Sequence, residues 1–394
     1  MRVIIRADGN REIAMGHMMR CLSIADALRK AGAEVAFVTA GPETKALLAG
    51  RGYAHTVLET SYKEMETELP VFQRYVREFF HIQAPFSNTD RTFAGSSAWK
   101  ERETWILVDS YFVTGHYMEE LDRWAKTAYI DDMGKPVWPV DLLIDYNIYG
   151  DRLPYRQWYS ESEISLPQKC LLGCRYAPLR AEFQGGRRSR VCDTVMDVLV
   201  TTGGGDQVNA AGKLCRRLAR EKAQGRHRGI RYHIVCGPFS QQKKMLRALS
   251  GEEPEFIVHE NVTEMAALME KCDIAVSAAG STMYELCSMR LPAVCFYFAE
   301  NQRQMAECFD RLTEIRNAGN MALEEEKTLD NLLAALDRLE QDRDLRGRIR
   351  EQMGRLTDGR GAERIAAALM ADPERKAVYE PQRNEKDEEA GSEF

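Results

Sequence analysis

The chain has 394 residues, enough for two domains at about 100–200 residues each, and its 44% hydrophobic and 29% charged residues can fill two cores. A formal net charge of -6 argues against nucleic acid, which demands a basic face, although backbone N–H groups can still hold a small phosphorylated ligand. The ten scattered cysteines fit reduced thiols in the cytoplasm, the polar start Met1–Asp8 does not read as a signal peptide, and no stretch approaches the ~20 apolar residues of a membrane span.

Val3–Ala7, ending at Asp8, reads as a buried strand. A polar loop runs from Gly9 to Gly16, and from His17 to Lys30 the apolar residues Met18, Cys21, Leu22, Ile24, Ala25 and Leu28 recur at helical spacing. Gly32 closes that helix and Glu34–Thr39 reads as a second strand, a β–loop–α–β unit that seeds a parallel sheet. Further strands are expected at Trp105–Val108, leading into Asp109-Ser110-Tyr111, at Thr127–Ile130, leading into Asp131-Asp132, and at Leu142–Ile144. Residues 61–104 are less regular, with one helix over Pro70–Phe80, and read as an insertion. A Gly/Arg-rich stretch, Gly185–Arg188, marks the break between domains.

A second α/β series follows, with strands at Val195–Val200, Tyr232–Cys236, Phe256–His259, Ile274–Ser277 and Ala293–Phe298. Helices fall at Asn209–Glu221 and Thr263–Lys271, before Met289, and from Gln302. Leu329–Ala371 reads as helical, and the charged segment beyond Asp372 as disordered. The expected units are a first Rossmann-like domain over 1–184, a second over 190–345, helices over 346–371 and a tail over 372–394.

In an open α/β sheet, ligands bind beyond the carboxyl ends of the strands. Gly203-Gly204-Gly205 and Gly280-Ser281-Thr282 each follow a strand and precede a helix, so each offers N–H groups and a helix dipole to a diphosphate. One such turn is most often only a tight turn; two in one domain point to a nucleotide. Neither has P-loop or GxGxxG spacing. Glu285, one helical turn beyond Ser281, can accept both hydroxyls of a ribose, and Asn301 and Gln302 can present amides to the same cleft, although Asn301 alone would read as a helix cap.

In the first half, His17 follows Gly16 and opens the first helix, whose N-terminus disfavours a positive charge. The imidazole is therefore expected to be neutral near pH 7 and able to take a proton from water. A lone histidine is more often a cap or a core residue, and the other six are read that way. Arg20, one turn further, is a candidate to hold phosphate or sugar, and Asp8, Asp109, Tyr111 and Asp131 lie at strand ends where they can line a cleft wall. Singly, each is more commonly a turn residue.

Taken together, Arg6-Ala7-Asp8 and Met15-Gly16-His17-Met18-Met19-Arg20-Cys21-Leu22 resemble the opening of the UDP-2,4-diacetamido-2,4,6-trideoxy-β-L-altropyranose hydrolases (PseG-type) of pseudaminic acid synthesis. Val108-Asp109-Ser110-Tyr111, Ile130-Asp131-Asp132, Tyr176–Arg180, Gly203–Asp206, Gly280-Ser281-Thr282 with Glu285, and Ala299–Gln302 follow in the same order. The Gly-Ser-Thr…Glu segment is shared more widely with UDP-sugar transferases. The resemblance implies a GT-B architecture: two Rossmann-like domains with parallel sheets facing a cleft, nucleotide on the second domain, sugar toward the first, and terminal helices returning to the first domain. It implies that His17 is the catalytic base; Asp8, Gly16, Arg20, Asp109, Tyr111, Asn301 and Gln302 are expected on the sugar side, and no cofactor is expected. Ala14 stands where that family often has glycine.

The implied reaction is attack of water on the sugar C1 with inversion and release of UDP, in a cytoplasmic protein that works beside other enzymes of its pathway. Glycosidases need two carboxyl groups because a sugar alkoxide leaves poorly without a proton. UDP leaves as an anion, so one base and electrostatic holding of the diphosphate suffice without a metal. A UDP-sugar glycosyltransferase of surface polysaccharide synthesis on the same scaffold, and a UDP-sugar-binding protein without turnover, are the alternatives.

Overall fold

The computed structural model describes residues 1–10, 12–80, 104–134, 137–185, 191–203, 206–237 and 240–371. The first half runs β1 (Arg2–Ala7), α1 (Gly16–Lys30), β2 (Glu34–Thr39), α2 (Lys45–Gly50), β3 (Ala54–Val57), α3 (Leu69–Phe79), β4 (Thr104–Asp109), α4 (Gly115–Asp122), β5 (Lys126–Ile130), β6 (Leu142–Asp145), α5 (Tyr155–Ser160) and β7 (Lys169–Leu172). The second runs β8 (Asp197–Thr201), α6 (Ala210–Ala223), β9 (Arg231–Cys236), α7 (Lys243–Glu252), β10 (Phe256–Glu260), α8 (Met265–Lys271), β11 (Ile274–Ala278), α9 (Thr282–Met289), β12 (Ala293–Tyr297), α10 (Glu300–Leu312), β13 (Asn317–Asn320), α11 (Glu325–Gln341), α12 (Arg343–Leu356) and α13 (Gly361–Met370).

The strands form two parallel sheets, a seven-stranded one in the order β3-β2-β1-β4-β5-β6-β7 and a six-stranded one in the order β10-β9-β8-β11-β12-β13. Each order grows outward from one strand and then jumps back past it, between β1 and β4 in the first sheet and between β8 and β11 in the second. At such a switch point the flanking loops part and leave a crevice at the carboxyl ends of the strands. The register places Ala7 opposite Asp109 in the first sheet and Thr201 opposite Ser277 in the second.

Strands buried on both faces read as near-continuous apolar runs, which is why β1, β2 and β4 stand out in the sequence. On one face Ile4, Val38, Ile106 and Val108 pack under Phe72 and Val76 of α3 and Tyr117, Met118 and Leu121 of α4. On the other, Val3, Ile5, Phe37 and Leu107 meet α1, which buries Met18, Cys21, Leu22, Ile24, Ala25 and Leu28. α3 is the crossover that carries the chain from β3 to β4. The start of the expected 61–104 insertion is therefore part of the domain; residues 81–103 lie outside the described residues.

The turn before α3 also supplies a buried charge. Arg6, fully buried on β1, donates through Nε and Nη2 to the two oxygens of Glu68 at 2.7 and 2.8 Å and through Nη1 to Asp8 at 2.5 Å. The Tyr117 hydroxyl donates to Glu68 at 2.6 Å, and Asp8 in turn accepts from the Ala40 N–H at 2.7 Å. Burial opposes the Arg6 charge, but Asp8 and Glu68 overcome it and hold the guanidinium above its ordinary range.

The helical segment expected over Leu329–Ala371 is three helices, broken at Asp342, whose carboxylate accepts from the Leu345 N–H at 2.8 Å, and again over Thr357–Arg360. α12 packs on α9 and stays with the second sheet, so only α13 makes the return expected of residues 346–371, lying against α1 and the turn at Cys174–Tyr176. The approach requires glycine: a Cβ on Gly361 would sit 2.1 Å from the Ala177 carbonyl oxygen. The expected tail over 372–394 lies outside the described residues.

Candidate active site

His17 is the second residue of α1, and its ring lies at the β1/β4 switch point. Nδ1 is 2.6 Å from Oδ1 of Asp109, the last residue of β4. Burial opposes ionisation of Asp109, yet Arg20 and His17 hold it well below the usual carboxylate range. Nδ1 also lies 2.9 Å from Nη2 of Arg20, but the shorter contact is to the carboxylate; two lone pairs cannot share 2.6 Å, so the proton of a neutral ring sits on Nδ1 and donates to Asp109. Nε2 then carries the free lone pair. It has no hydrogen-bond partner among the described residues and is not sealed from solvent. The ring as a whole is 3% exposed and meets the edge of Tyr111, 4.4 Å between centroids at 77°.

Arg20 lies one turn along α1 and holds Asp109 with two prongs, Nε to Oδ2 at 2.6 Å and Nη2 to Oδ1 at 2.5 Å. Its Nη1 reaches the Tyr146 hydroxyl at 2.5 Å and Asp132 at 3.0 Å. Tyr111 donates its hydroxyl to the same Asp132 at 2.9 Å. The structure thus gives three expected sugar-side residues a different place. Asp109 is 1% exposed and faces His17; Arg20 is spent on Asp109, Asp132 and Tyr146; Asp8 is spent on Arg6 and Ala40. Asp131, read as a cleft-wall residue, is fully buried. Asp132 and Tyr146, which complete the arrangement, did not stand out individually in the sequence.

Ala14 has φ +57, in the left-handed region, which accounts for glycine at that position in the family the opening resembles. The turn around it is closed by the Asn10 side chain, which accepts from the N–H groups of Glu12 and Ile13 at 2.8 and 3.0 Å. Gly16 is exposed at the start of α1.

In the second sheet, Gly203 follows β8 with φ +79, and Gly204 and Gly205 lie outside the described residues. Gly280, Ser281 and Thr282 follow β11 across the β8/β11 switch point and lead into α9. The N–H groups of Ser281 and Thr282 make no backbone hydrogen bond among the described residues. Glu285 is half-buried, with Arg180 from the inter-domain segment 3.7 Å away; burial pushes its carboxyl up to about 7 against the pull of Arg180. Asn301 is exposed, while Gln302 turns its Oε1 back to accept from the Phe298 N–H at 3.1 Å, and α10 begins one residue before Asn301, at Glu300. Elsewhere, the described residues His227, Asp337 and Glu340 are spaced as metal ligands would be. His227 donates through Nδ1 to Glu340 at 2.8 Å, a bond that raises the imidazole pKa, and Arg226 occupies Asp337, so the trio acts as an ion-pair clamp on α11.

Beyond β5 and β6, the Tyr155 hydroxyl lies 2.8 Å from Asp131 and 3.0 Å from Asp145. One hydroxyl hydrogen cannot serve two carboxylates, so one carboxyl keeps its proton and donates to the tyrosine. Burial, with Asp131 alongside, pushes Asp145 up to about 8, which makes it the holder. An unfolded aspartate releases its proton near pH ~3.9. Stability from this proton is therefore full below that pH and is lost as pH rises through the folded value. Asp145→Asn keeps the acceptor for Asn147 and mimics the protonated carboxyl toward Tyr155. The wild type should lose thermal stability relative to Asp145→Asn between pH 5.5 and 8.5; parallel melting curves across that range would remove the assignment.

Residues 198–361 match the glycosyltransferase family 28 C-terminal domain. The chain is similar to the spore coat polysaccharide biosynthesis protein SpsG of Bacillus subtilis, 24% identical over 94% of this chain and 98% of that protein. It is also similar to an uncharacterized protein of Methanocaldococcus jannaschii, 23% identical over 79% of this chain; the match spans 58% of that longer relative. Among solved structures, Acinetobacter baumannii MurG superposes with a TM-score of 0.60 at 13% identity, covering 93% of this chain and 98% of that one, which shows the GT-B fold. No helix among the described residues is long and apolar enough to cross a membrane. The matched domain and the two-sheet architecture together support a nucleotide-sugar-acting enzyme of GT-B fold.

Proposed function

We propose that the chain hydrolyses a UDP-linked diacetamido-trideoxy sugar at its anomeric carbon, releasing UDP and the free sugar with inversion. The observation that carries this reading is the His17 ring, fixed through Nδ1 by Asp109 at a switch-point crevice with the Nε2 lone pair unspent. Nε2 takes a proton from water as the water oxygen bonds to C1; the bond from C1 to the β-phosphate oxygen breaks, and UDP leaves with the electron pair. The diphosphate would rest on the free N–H groups at the start of α9, with the ribose toward Glu285. Asp109 stabilises the imidazolium as it forms, the part an orienting carboxylate plays beside a histidine base.

A second reading has support of its own, since the matched domain is that of a glycosyltransferase family. There the same nitrogen would deprotonate an acceptor hydroxyl. Incubation with UDP-2,4-diacetamido-2,4,6-trideoxy-β-L-altropyranose and no acceptor, followed by proton NMR, separates the two. Free sugar appearing first as the inverted anomer is expected; an intact donor that turns over only on addition of a glycan acceptor would favour transfer.

A further inference from the structure

Arg20 is the point at which the second domain reaches the base. Its grip on Asp109 uses Nε and Nη2, while Nη1 bonds the hydroxyl of Tyr146, the residue that follows β6. Tyr146 is buried, and its ring meets that of Tyr284, on α9, edge to face at 5.6 Å. Two residues on, the Ile148 N–H donates to the Tyr284 hydroxyl at 3.0 Å. Tyr284 is fully buried and sits directly before Glu285, in the helix that Gly280, Ser281 and Thr282 lead into. An unbroken run of contacts therefore leads from that helix through Tyr284, Tyr146, Arg20 and Asp109 to Nδ1 of His17.

We infer that Tyr146 is a positioning residue for the base: α9 holds Tyr146 through Tyr284, and Tyr146 holds Arg20 in line with Asp109. This rests on the reading of His17 as the base. The hydroxyl, and not only the ring, is what matters. A phenylalanine at 146 would fill the same space and leave Nη1 with Asp132 alone, a carboxylate whose side chain is 18% exposed and can draw the guanidinium outward. The two-pronged Arg20 grip on Asp109 would then loosen, and the ring it orients would no longer be confined to the Nδ1–H tautomer. Seating a nucleotide on α9 would tighten the same run of contacts from the other end.

The test uses the full chain with Tyr146→Phe and, as a second isosteric change that leaves Arg20 untouched, Tyr284→Phe. The nitrogen-15 imidazole resonances of His17 should report a single Nδ1–H tautomer in the parent and a mixture in Tyr146→Phe. Turnover of the UDP-diacetamido sugar should fall about tenfold in either variant, with KM and the Kd for UDP within about twofold of the parent. The double variant should be no slower than the slower single, as expected of one shared path. An unchanged His17 spectrum in Tyr146→Phe, or a raised KM at constant kcat, overturns the assignment. Should the parent itself fail to turn over that sugar, the proposed reaction falls, while the ring spectra still decide the positioning role. If Tyr146→Phe does not fold, the same spectra of Tyr284→Phe decide it.

Discussion

A His17→Asn chain should bind UDP as tightly as the parent and unfold at the same temperature, yet release free sugar about a hundred- to ten-thousandfold more slowly. The fold should survive because the ring is not the sole partner of the charge behind it. Asp109 keeps both prongs of Arg20 when the imidazole is gone, so no buried carboxylate is stranded. Asp109→Asn should also slow turnover about a hundredfold or more, for a different reason: the amide cannot hold the ring in the Nδ1–H tautomer. That variant should additionally melt earlier, because Arg20 loses its principal anion. Calorimetry for UDP, circular dichroism for melting and NMR for sugar release separate these effects. Turnover within tenfold of the parent in His17→Asn would sink the assignment of the base.

Glu68→Ala should lower the free energy of unfolding by about 3–5 kcal/mol, the cost of breaking a buried ion pair and leaving one charge behind. The stranded group is the Arg6 guanidinium, fully buried on β1, an interior strand of the first sheet, and left with Asp8 as its anionic partner among the described residues. The Tyr117 hydroxyl loses its acceptor in the same change. Glu68→Gln retains one oxygen acceptor and should cost less. Guanidinium unfolding at fixed pH checks both values, and a loss under about 1 kcal/mol for the alanine variant would mean that Arg6 finds water or another anion instead.

Much of this fold was legible because its strands are apolar runs and its main helix carries a single stripe. Glu34–Thr39 was read at its true bounds, and α1 begins one residue before the expected start. β13, Asn-Ala-Gly-Asn, was not legible, since nothing in those residues favours a strand and only pairing with β12 makes it one. β7 and α5 are short, and α13 parts from α12 only through the left-handed turn at Gly359, φ +80, which apolar spacing does not mark. At the site, the place of His17, after a strand and at the opening of a helix, was legible in the sequence. The place of Asp109 depends on strand order: β4 lies beside β1 only because the chain crosses over after β3, a pairing of residues a hundred apart. Arg20 looked like a ligand for phosphate for the same reason; its carboxylate and phenol partners come from the end of β4 and from the loops after β5 and β6.

The docking of α13 on α1 has a mechanical consequence. The polypeptide crosses between the lobes twice, once near Phe183 and again over Thr357–Gly361, and the Ser288 hydroxyl bonds the Phe183 carbonyl at 2.5 Å beside the second passage. Two neighbouring strings act as a strap hinge. A twist of one lobe against the other would drag the last helix sideways across the first, the helix that bears His17.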